Sequence, residues 1–379
     1  MKKYLLFAVL FQFSLLLSAQ IVADYSVVSQ YDDIPEQYMD EVKKMWLVIT
    51  GESHSMAYFT GLTDLESEHG NYDVSVQYEG TPEAYTTSHL RASGATWGNL
   101  ENSSGWIYGY SPKDWCSGSP PWYPLDPAAV ARTKDGITYC NSNNLTISAF
   151  GYGWCYNDGF ELVHSYLTAT KDYIDHCTEN NISTVVIFTT GPVDGYMGEG
   201  TQDAYDNSRR WQTIRDTVNN SSTRVLLDYA DILSYNNAGE QATASWGGHT
   251  FPVIHPENMG GDYTGHIGAN GALKLAKATW WMLARIAGWD GGGTSALEPG
   301  RAESEIKLDL RSNLLSIDSP EEFIDGQISL YNAKGSLLDS RRVNSNLTYM
   351  DTSRLSEGMY LVVVSNERTR EVRKIAKIL

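Results

Sequence analysis

The chain is short of positive charge. Its 379 residues hold 28 Lys and Arg against 46 Asp and Glu, a formal net charge of −18 at pH 7. Such an imbalance excludes a nucleic-acid backbone or an anionic membrane surface as the main partner, because either would repel it. Cysteine is scarce as well. The four are Cys116, Cys140, Cys155 and Cys177, with no C-x-x-C spacing, and no H-E-x-x-H occurs. No zinc motif is therefore readable and no metal is expected. Long apolar runs are missing beyond the extreme N-terminus, so no membrane span is expected after processing. Aromatic residues, by contrast, are plentiful: 12% of the chain, with 11 Trp and 24 Tyr, within 42% apolar residues. Disordered chains are poor in such residues. This length supports a sizeable core, in two domains or in one domain with an appendage.

The N-terminus reads as an address. Lys2-Lys3 is followed by the apolar run Tyr4 to Leu10 and then by Leu17-Ser18-Ala19. A basic start, an apolar stretch and a small residue before the cut are the marks of a signal peptide over residues 1–19. The processed chain would begin at Gln20 and leave the cytoplasm. Export permits disulfides, and Cys116 and Cys140 bracket a Gly/Ser/Pro-rich loop that a bridge between them could staple. Four cysteines allow three connectivities.

Composition changes at Asp290-Gly291-Gly292-Gly293-Thr294-Ser295, which with the following Pro299-Gly300 reads as a flexible linker over 290–304. It divides a first domain, 20–289, from a tail, 305–379. The tail holds 11 basic and 11 acidic residues, so the acidity belongs to the first domain. Short alternating apolar runs separated by turns, such as Gln327 to Tyr331 and Met359 to Val364, predict a small antiparallel β-sandwich there. Three pieces of the tail carry a resemblance: Ile328-Ser329-Leu330-Tyr331-Asn332-Ala333-Lys334-Gly335, Leu355-Ser356-Glu357-Gly358-Met359-Tyr360, and the basic end Arg373 to Leu379. In this order they resemble the C-terminal sorting domain of type IX secretion cargo in the Bacteroidota. That resemblance implies passage through the periplasm, the type IX machinery as a partner, and a secreted or cell-surface destination.

The first domain reads as strands alternating with helices. Met45 to Thr50 is a continuous apolar run, as expected of a strand buried on both faces. Further strands are expected at Tyr72–Tyr78, Leu145–Tyr152, Ser183–Thr190 and Arg224–Tyr229. Helical spacing marks Phe160–Cys177, Asp203–Val218 and Gly271–Ala287. This alternation predicts an α/β fold with a doubly wound parallel sheet. Function is then expected at the carboxyl ends of the strands.

The first strand runs directly into Gly51-Glu52-Ser53-His54-Ser55 and a helical pattern. Ser53 on that turn is either a helix N-cap or a nucleophile whose oxyanion the free N–H groups of the helix would stabilise. His266 precedes the last helix, whose loop returns to the same sheet edge, and Asp262 lies four residues before it. A Ser–His pair oriented by a carboxylate is the arrangement used in acyl transfer. His54 is expected to face solvent or the mouth of the site. His255, in Ile254-His255-Pro256-Glu257-Asn258, is the rival base, although no helical run follows Gly260 directly.

Four blocks in this order resemble the SGNH (GDSL-like) hydrolase superfamily, from Met45 to Trp289. They are Gly51-Glu52-Ser53-His54-Ser55, with Glu in the usual Asp place; Gly94 in Arg91-Ala92-Ser93-Gly94; Cys155-Tyr156-Asn157-Asp158, with Cys in a Gly place; and His266 with Gly271. The resemblance implies a flavodoxin-like sheet. It makes Ser53 the nucleophile and His266 the base, with the Ser53 and Gly94 N–H groups and the Asn157 side chain as the oxyanion hole. The family's carboxylate lies three residues before the histidine, where this chain has Tyr263, so the role falls to Asp262 or to a backbone carbonyl. No cofactor is implied.

Between Trp97 and Asn144 lies a long stretch with Trp97, Trp106, Tyr108, Tyr110, Trp115, Trp122 and Tyr123 among Gly, Ser and Pro. It reads as a functional loop, either a carbohydrate cleft or a small core under a lid. Together these readings predict a secreted serine esterase that removes acyl, acetyl-type, groups from a polysaccharide or oligosaccharide. Two other outcomes follow from the same residues. One is a glycan-binding surface protein with an altered site. The other is a glycosidase or lyase using Glu52 or Asp158.

Overall fold

The computed structural model describes residues 20–51, 53–78, 80–98, 105–107, 127–154, 160–191, 200–260, 266–291, 306–311, 313–320, 323–332, 337–356, 358–366 and 370–377. The expected signal peptide and most of the expected linker lie outside the described residues. The chain divides into two compact units, Met1–Ala296 and Leu297–Leu379.

In the first unit the elements run β1 (Ile21–Ala23), α1 (Glu36–Val42), β2 (Trp46–Gly51), α2 (Ser55–Glu68), β3 (Val74–Gln77), β4 (Leu90–Ser93), β5 (Thr96–Trp97), β6 (Trp106–Ile107), α3 (Pro127–Ser142), β7 (Ala149–Gly153), α4 (Phe160–Glu179), β8 (Val185–Thr189), α5 (Gln202–Asn219), β9 (Val225–Leu227), α6 (Tyr229–Ser234), β10 (Thr243–Trp246), β11 (His249–Pro252) and α7 (Ala269–Ile286). Seven strands form one sheet in the order β1-β9-β8-β7-β2-β4-β3. Every pair in it is parallel. From β2 the chain winds outward through α2 to β3, and from β7 it winds the other way through α4 to β8. Right-handed crossovers in opposite directions put their helices on opposite faces. Accordingly α1, α2 and α7 pack together, and α3, α4 and α5 form a second group.

The central position of β2 follows from its residues. Trp46, Leu47, Val48 and Ile49 are all buried, which requires neighbours on both edges and helices on both faces. The apolar face of α7, with Leu275, Ala278, Met282 and the indole of Trp280, is likewise fully buried.

Several sequence expectations shift. β7 starts at Ala149 rather than Leu145, because Leu145 closes the end of α3 by donating its N–H to the Cys140 carbonyl at 3.0 Å. β1 and β4 are strands the apolar pattern did not mark. β1 is three residues long, and β4 carries Arg91, buried with its guanidinium 5.6 Å over the Trp46 ring. The Trp97–Asn144 stretch is not all loop. It contains α3 and the β5–β6 pair, and α3 buries Ala129, Val130, Thr133, Gly136, Ile137 and Cys140 at three-to-four spacing. The Cys116–Cys140 staple is also corrected. Cys140 is a free, buried thiol on the inner face of α3 that donates to the Trp97 carbonyl at 3.0 Å. Tyr108, Tyr110, Trp115, Cys116, Trp122 and Tyr123 lie outside the described residues.

The second unit contains β12 (Lys307–Arg311), β13 (Leu314–Asp318), β14 (Gln327–Asn332), β15 (Leu337–Arg342), β16 (Leu347–Asp351), β17 (Gly358–Ser365) and β18 (Arg370–Lys377). They form two antiparallel sheets, β12-β13-β16 and β15-β14-β17-β18. Alternate residues of both, among them Leu315, Ile317, Ile328, Leu330, Met350, Val362 and Val364, share one core. The buried Lys377 ammonium ties down the last strand. It donates to Asn313 Oδ1 at 2.9 Å, the Thr352 carbonyl at 2.7 Å and the Leu355 carbonyl at 2.9 Å. Among the described residues no helix is long and apolar enough to cross a membrane.

Candidate active site

The centre of the site is the turn that ends β2. Gly51 has φ +122, a conformation open to glycine and strained for other residues. A side chain there would also collide with its partner strand, since a Cβ would lie 2.1 Å from the Gly153 carbonyl oxygen. Gly153, paired with Gly51 at the end of β7, is equally confined: a Cβ on it would lie 2.3 Å from Ser55 Cβ. The two glycines let the first turn of α2 press down on the sheet edge. Ser53 sits at the crest of that turn, half-exposed, and its carbonyl accepts from the Met56 N–H at 3.1 Å.

His266 comes from the other direction. Its Nε2 lies 3.0 Å from Ser53 Oγ, across 213 residues of sequence. With Nε2 unprotonated, the hydroxyl donates to it, which is the contact a general base needs. His266 has φ +67, an unusual backbone state for a non-glycine residue and one that costs on the order of 1 kcal/mol. The chain that follows His266 is tied down through Asn258. That buried amide donates to the Leu233 and Tyr235 carbonyls, both at 2.8 Å, and accepts from Asn270 at 2.9 Å. The Asn258 carbonyl then accepts from the Gly268 N–H at 2.9 Å, just before α7 begins.

His54 does not face solvent. It is 1% exposed, because the turn that lifts Ser53 folds the next side chain inward. Its ring lies 5.0 Å from the His266 ring and edge-on to Tyr229 at 6.2 Å. His255 is engaged locally: its Nδ1 accepts from the Glu257 N–H at 3.2 Å and caps the short Pro256–Asn258 turn of helix.

Gly94, buried, follows the end of β4, and Ser53 follows β2. β4 and β7 are the two neighbours of β2, so the loops after these three strands leave from one carboxyl edge. β2 and β7 also form the point where the winding reverses, the place where α/β sheets hold ligands. Glu52, Cys155, Asn157, Asp158, Asp262 and Tyr263 lie outside the described residues. Among the described residues no group of three or more His, Cys, Asp or Glu side chains could hold a metal ion.

The sequence reading missed a buried charge network at the end of β9, three strands from β2. Asp228, after β9, accepts from Thr190 Oγ1 at 2.8 Å and from Arg215 Nε and Nη2 at 2.5 and 2.8 Å. It also caps α6 by accepting from the Asp231 N–H at 3.2 Å. Burial, and then the Asp228 charge, push the Asp231 carboxyl up to about 6. The available signal was the Asp-Tyr-Ala-Asp start of a short helix, a capping pattern directly after an apolar strand.

No curated protein matches the chain at a significant level. A crystal structure of a candidate beta-galactosidase from Bacteroides fragilis aligns over 87% of this chain at 11% identity, with a TM-score of 0.17. The aligned region spans 45% of that protein, and a likeness this slight supports no argument about fold or activity. The tail is different. Residues 311–378 match the family described as the secretion system C-terminal sorting domain. The chain therefore carries a type IX sorting domain and is a secreted or cell-surface protein of the Bacteroidota type.

Proposed function

We propose that the first unit is an SGNH-type serine esterase that removes acyl, acetyl-type, groups from a polysaccharide outside the cell. One observation carries this reading: the 3.0 Å contact between Ser53 Oγ and His266 Nε2 at the carboxyl edge of a parallel sheet. Ser53 Oγ would attack the ester carbonyl carbon as its proton passes to His266 Nε2. The tetrahedral oxyanion would be met by the Ser53 and Gly94 N–H groups and by Asn157. Collapse breaks the C–O bond to the sugar, and the departing alkoxide takes the proton from His266. A water, deprotonated by the same nitrogen, would then add to the acyl-enzyme carbonyl; the bond to Ser53 Oγ breaks, Ser53 takes the proton back from His266, and the acyl group leaves as a carboxylic acid. Asp262 or a backbone carbonyl would hold the second imidazole nitrogen. The sorting domain supplies the export route, and an acidic chain suits neutral glycans better than sulfated ones.

The test is Ser53→Ala. Turnover of p-nitrophenyl acetate should fall by about 10³-fold or more, with thermal unfolding unchanged. Equal turnover in both proteins would remove Ser53 as nucleophile. New reducing ends from a polysaccharide without acetate release would favour a glycosidase or lyase.

A further inference from the structure

Between α6 and α7 the chain inserts the β10–β11 hairpin. It turns on Gly247 and Gly248, with φ +58 and +84, the geometry of a tight primed hairpin turn. The register pairs Ala244 with Phe251 and Trp246 with His249. Side chains alternate across a strand, so these four share one face, while Ser245 and Thr250 share the other. The inner part of the first face is covered. Phe251 and Val253 are buried with Ala204 of α5, beside Tyr205.

The outer pair overhangs the helix. Trp246 keeps 36% exposure, and His249 is exposed. Both are braced by Tyr205, whose ring stacks on His249 at 4.7 Å and 9° and lies 5.8 Å from Trp246 at 30°. The other face offers exposed hydroxyls, with Ser245 Oγ and Thr250 Oγ1 3.1 Å apart.

The hairpin also has a defined place. A Cβ on Gly200 would lie 2.5 Å from the Ser245 carbonyl oxygen, so the hairpin backbone rests against the entry to α5. That entry follows β8 and belongs to the carboxyl edge of the sheet, the edge that carries Ser53.

We propose that Trp246 and His249, braced by Tyr205, form a sugar-stacking subsite that holds a neutral polysaccharide chain beside the Ser53 site. The proposal rests on the reading of that site as one acting on a glycan ester. Aromatic faces pack on the C–H faces of sugars. Rings already stacked lose little freedom on binding. An overhang of two side chains falls far short of the roughly 800 Å² per partner that a stable protein interface buries.

Affinity electrophoresis of the full chain tests it, in gels cast with acetylated xylan, with mannan, or with alginate as a polyanion. Ser53→Ala is the parent, so that no ester is consumed. The parent should be retarded by a neutral glycan and not by alginate. Adding Trp246→Ala should weaken that retardation about tenfold, the loss expected for one aromatic anchor, whereas Trp246→Phe should keep most of it. His249→Ala, which leaves the Phe251 packing intact, should also weaken it and serves if Trp246→Ala unfolds. Equal retardation of parent and variants, or none on either neutral glycan, overturns the subsite. Turnover of p-nitrophenyl acetate by the unmutated protein is read separately. If that turnover is absent while the Trp246 effect persists, the esterase reading fails and the subsite stands.

Discussion

A single methyl group added at Gly153 would strike the turn that carries Ser53. In Gly153→Ala the new Cβ would lie 2.3 Å from Ser55 Cβ, 2.6 Å from Ser55 Cα and 3.0 Å from its backbone nitrogen. None of these is the far end of a flexible side chain, so relief requires the backbone to move. Reaching ordinary contact means a displacement of roughly 1 Å of the first turn of α2, and overpacking on that scale costs about 1–3 kcal/mol. Ser53 is two residues from the clash and His266 is anchored separately through Asn258, so the 3.0 Å contact between them should open. A misplacement of this size in a reacting pair costs on the order of 10²-fold in rate. The assay is kcat/KM on p-nitrophenyl acetate, paired with urea unfolding. A variant with full turnover and unchanged stability would refute the argument that the two glycines set the height of the turn.

Other consequences concern stability and the cysteines. Arg215→Ala would leave the Asp228 carboxylate buried without its cation and should cost about 3–5 kcal/mol in urea unfolding. The Asp231 carboxyl, raised from 3.8 to about 6, favours the protonated form in the folded state. The unfolded chain loses that proton first, so this group makes stability fall as pH rises from about 4 to about 6, and Asp231→Asn should flatten that segment of the unfolding profile. Cys140 and Cys177, buried and with thiols pushed up to about 11 by desolvation, should resist iodoacetamide in the native protein and react after denaturation. Recovery of a Cys116–Cys140 peptide from the exported protein would contradict that placement.

The elements that the sequence made legible are those with strong periodic patterns. The buried run of β2, and the spacing in α4, α5 and α7, are visible because a whole face or both faces must be apolar. β4 was not visible as a strand, because Arg91 interrupts it; the structure accommodates that charge by stacking it on Trp46 and directing Nη1 to the Glu83 carbonyl at 3.3 Å. α3 was hidden by composition, since its inner face uses Thr133, Gly136 and Cys140 where a stronger pattern would use leucine. At the site, Ser53 and His266 could be named from turn chemistry and block order. The burial of His54 could not, because it depends on how far the turn sinks between β7 and α7. The Asp228–Arg215 pair was also out of reach, since it joins a strand end to a helix 13 residues earlier through a shared buried position.

The most direct measurement of the central claim is covalent labelling by a fluorophosphonate, read by peptide mass. If His266 activates Ser53, the native protein should carry one adduct on Ser53, and His266→Ala should slow its formation by orders of magnitude while the protein remains folded. A native protein that takes no label, or takes it on another residue, would contradict the account.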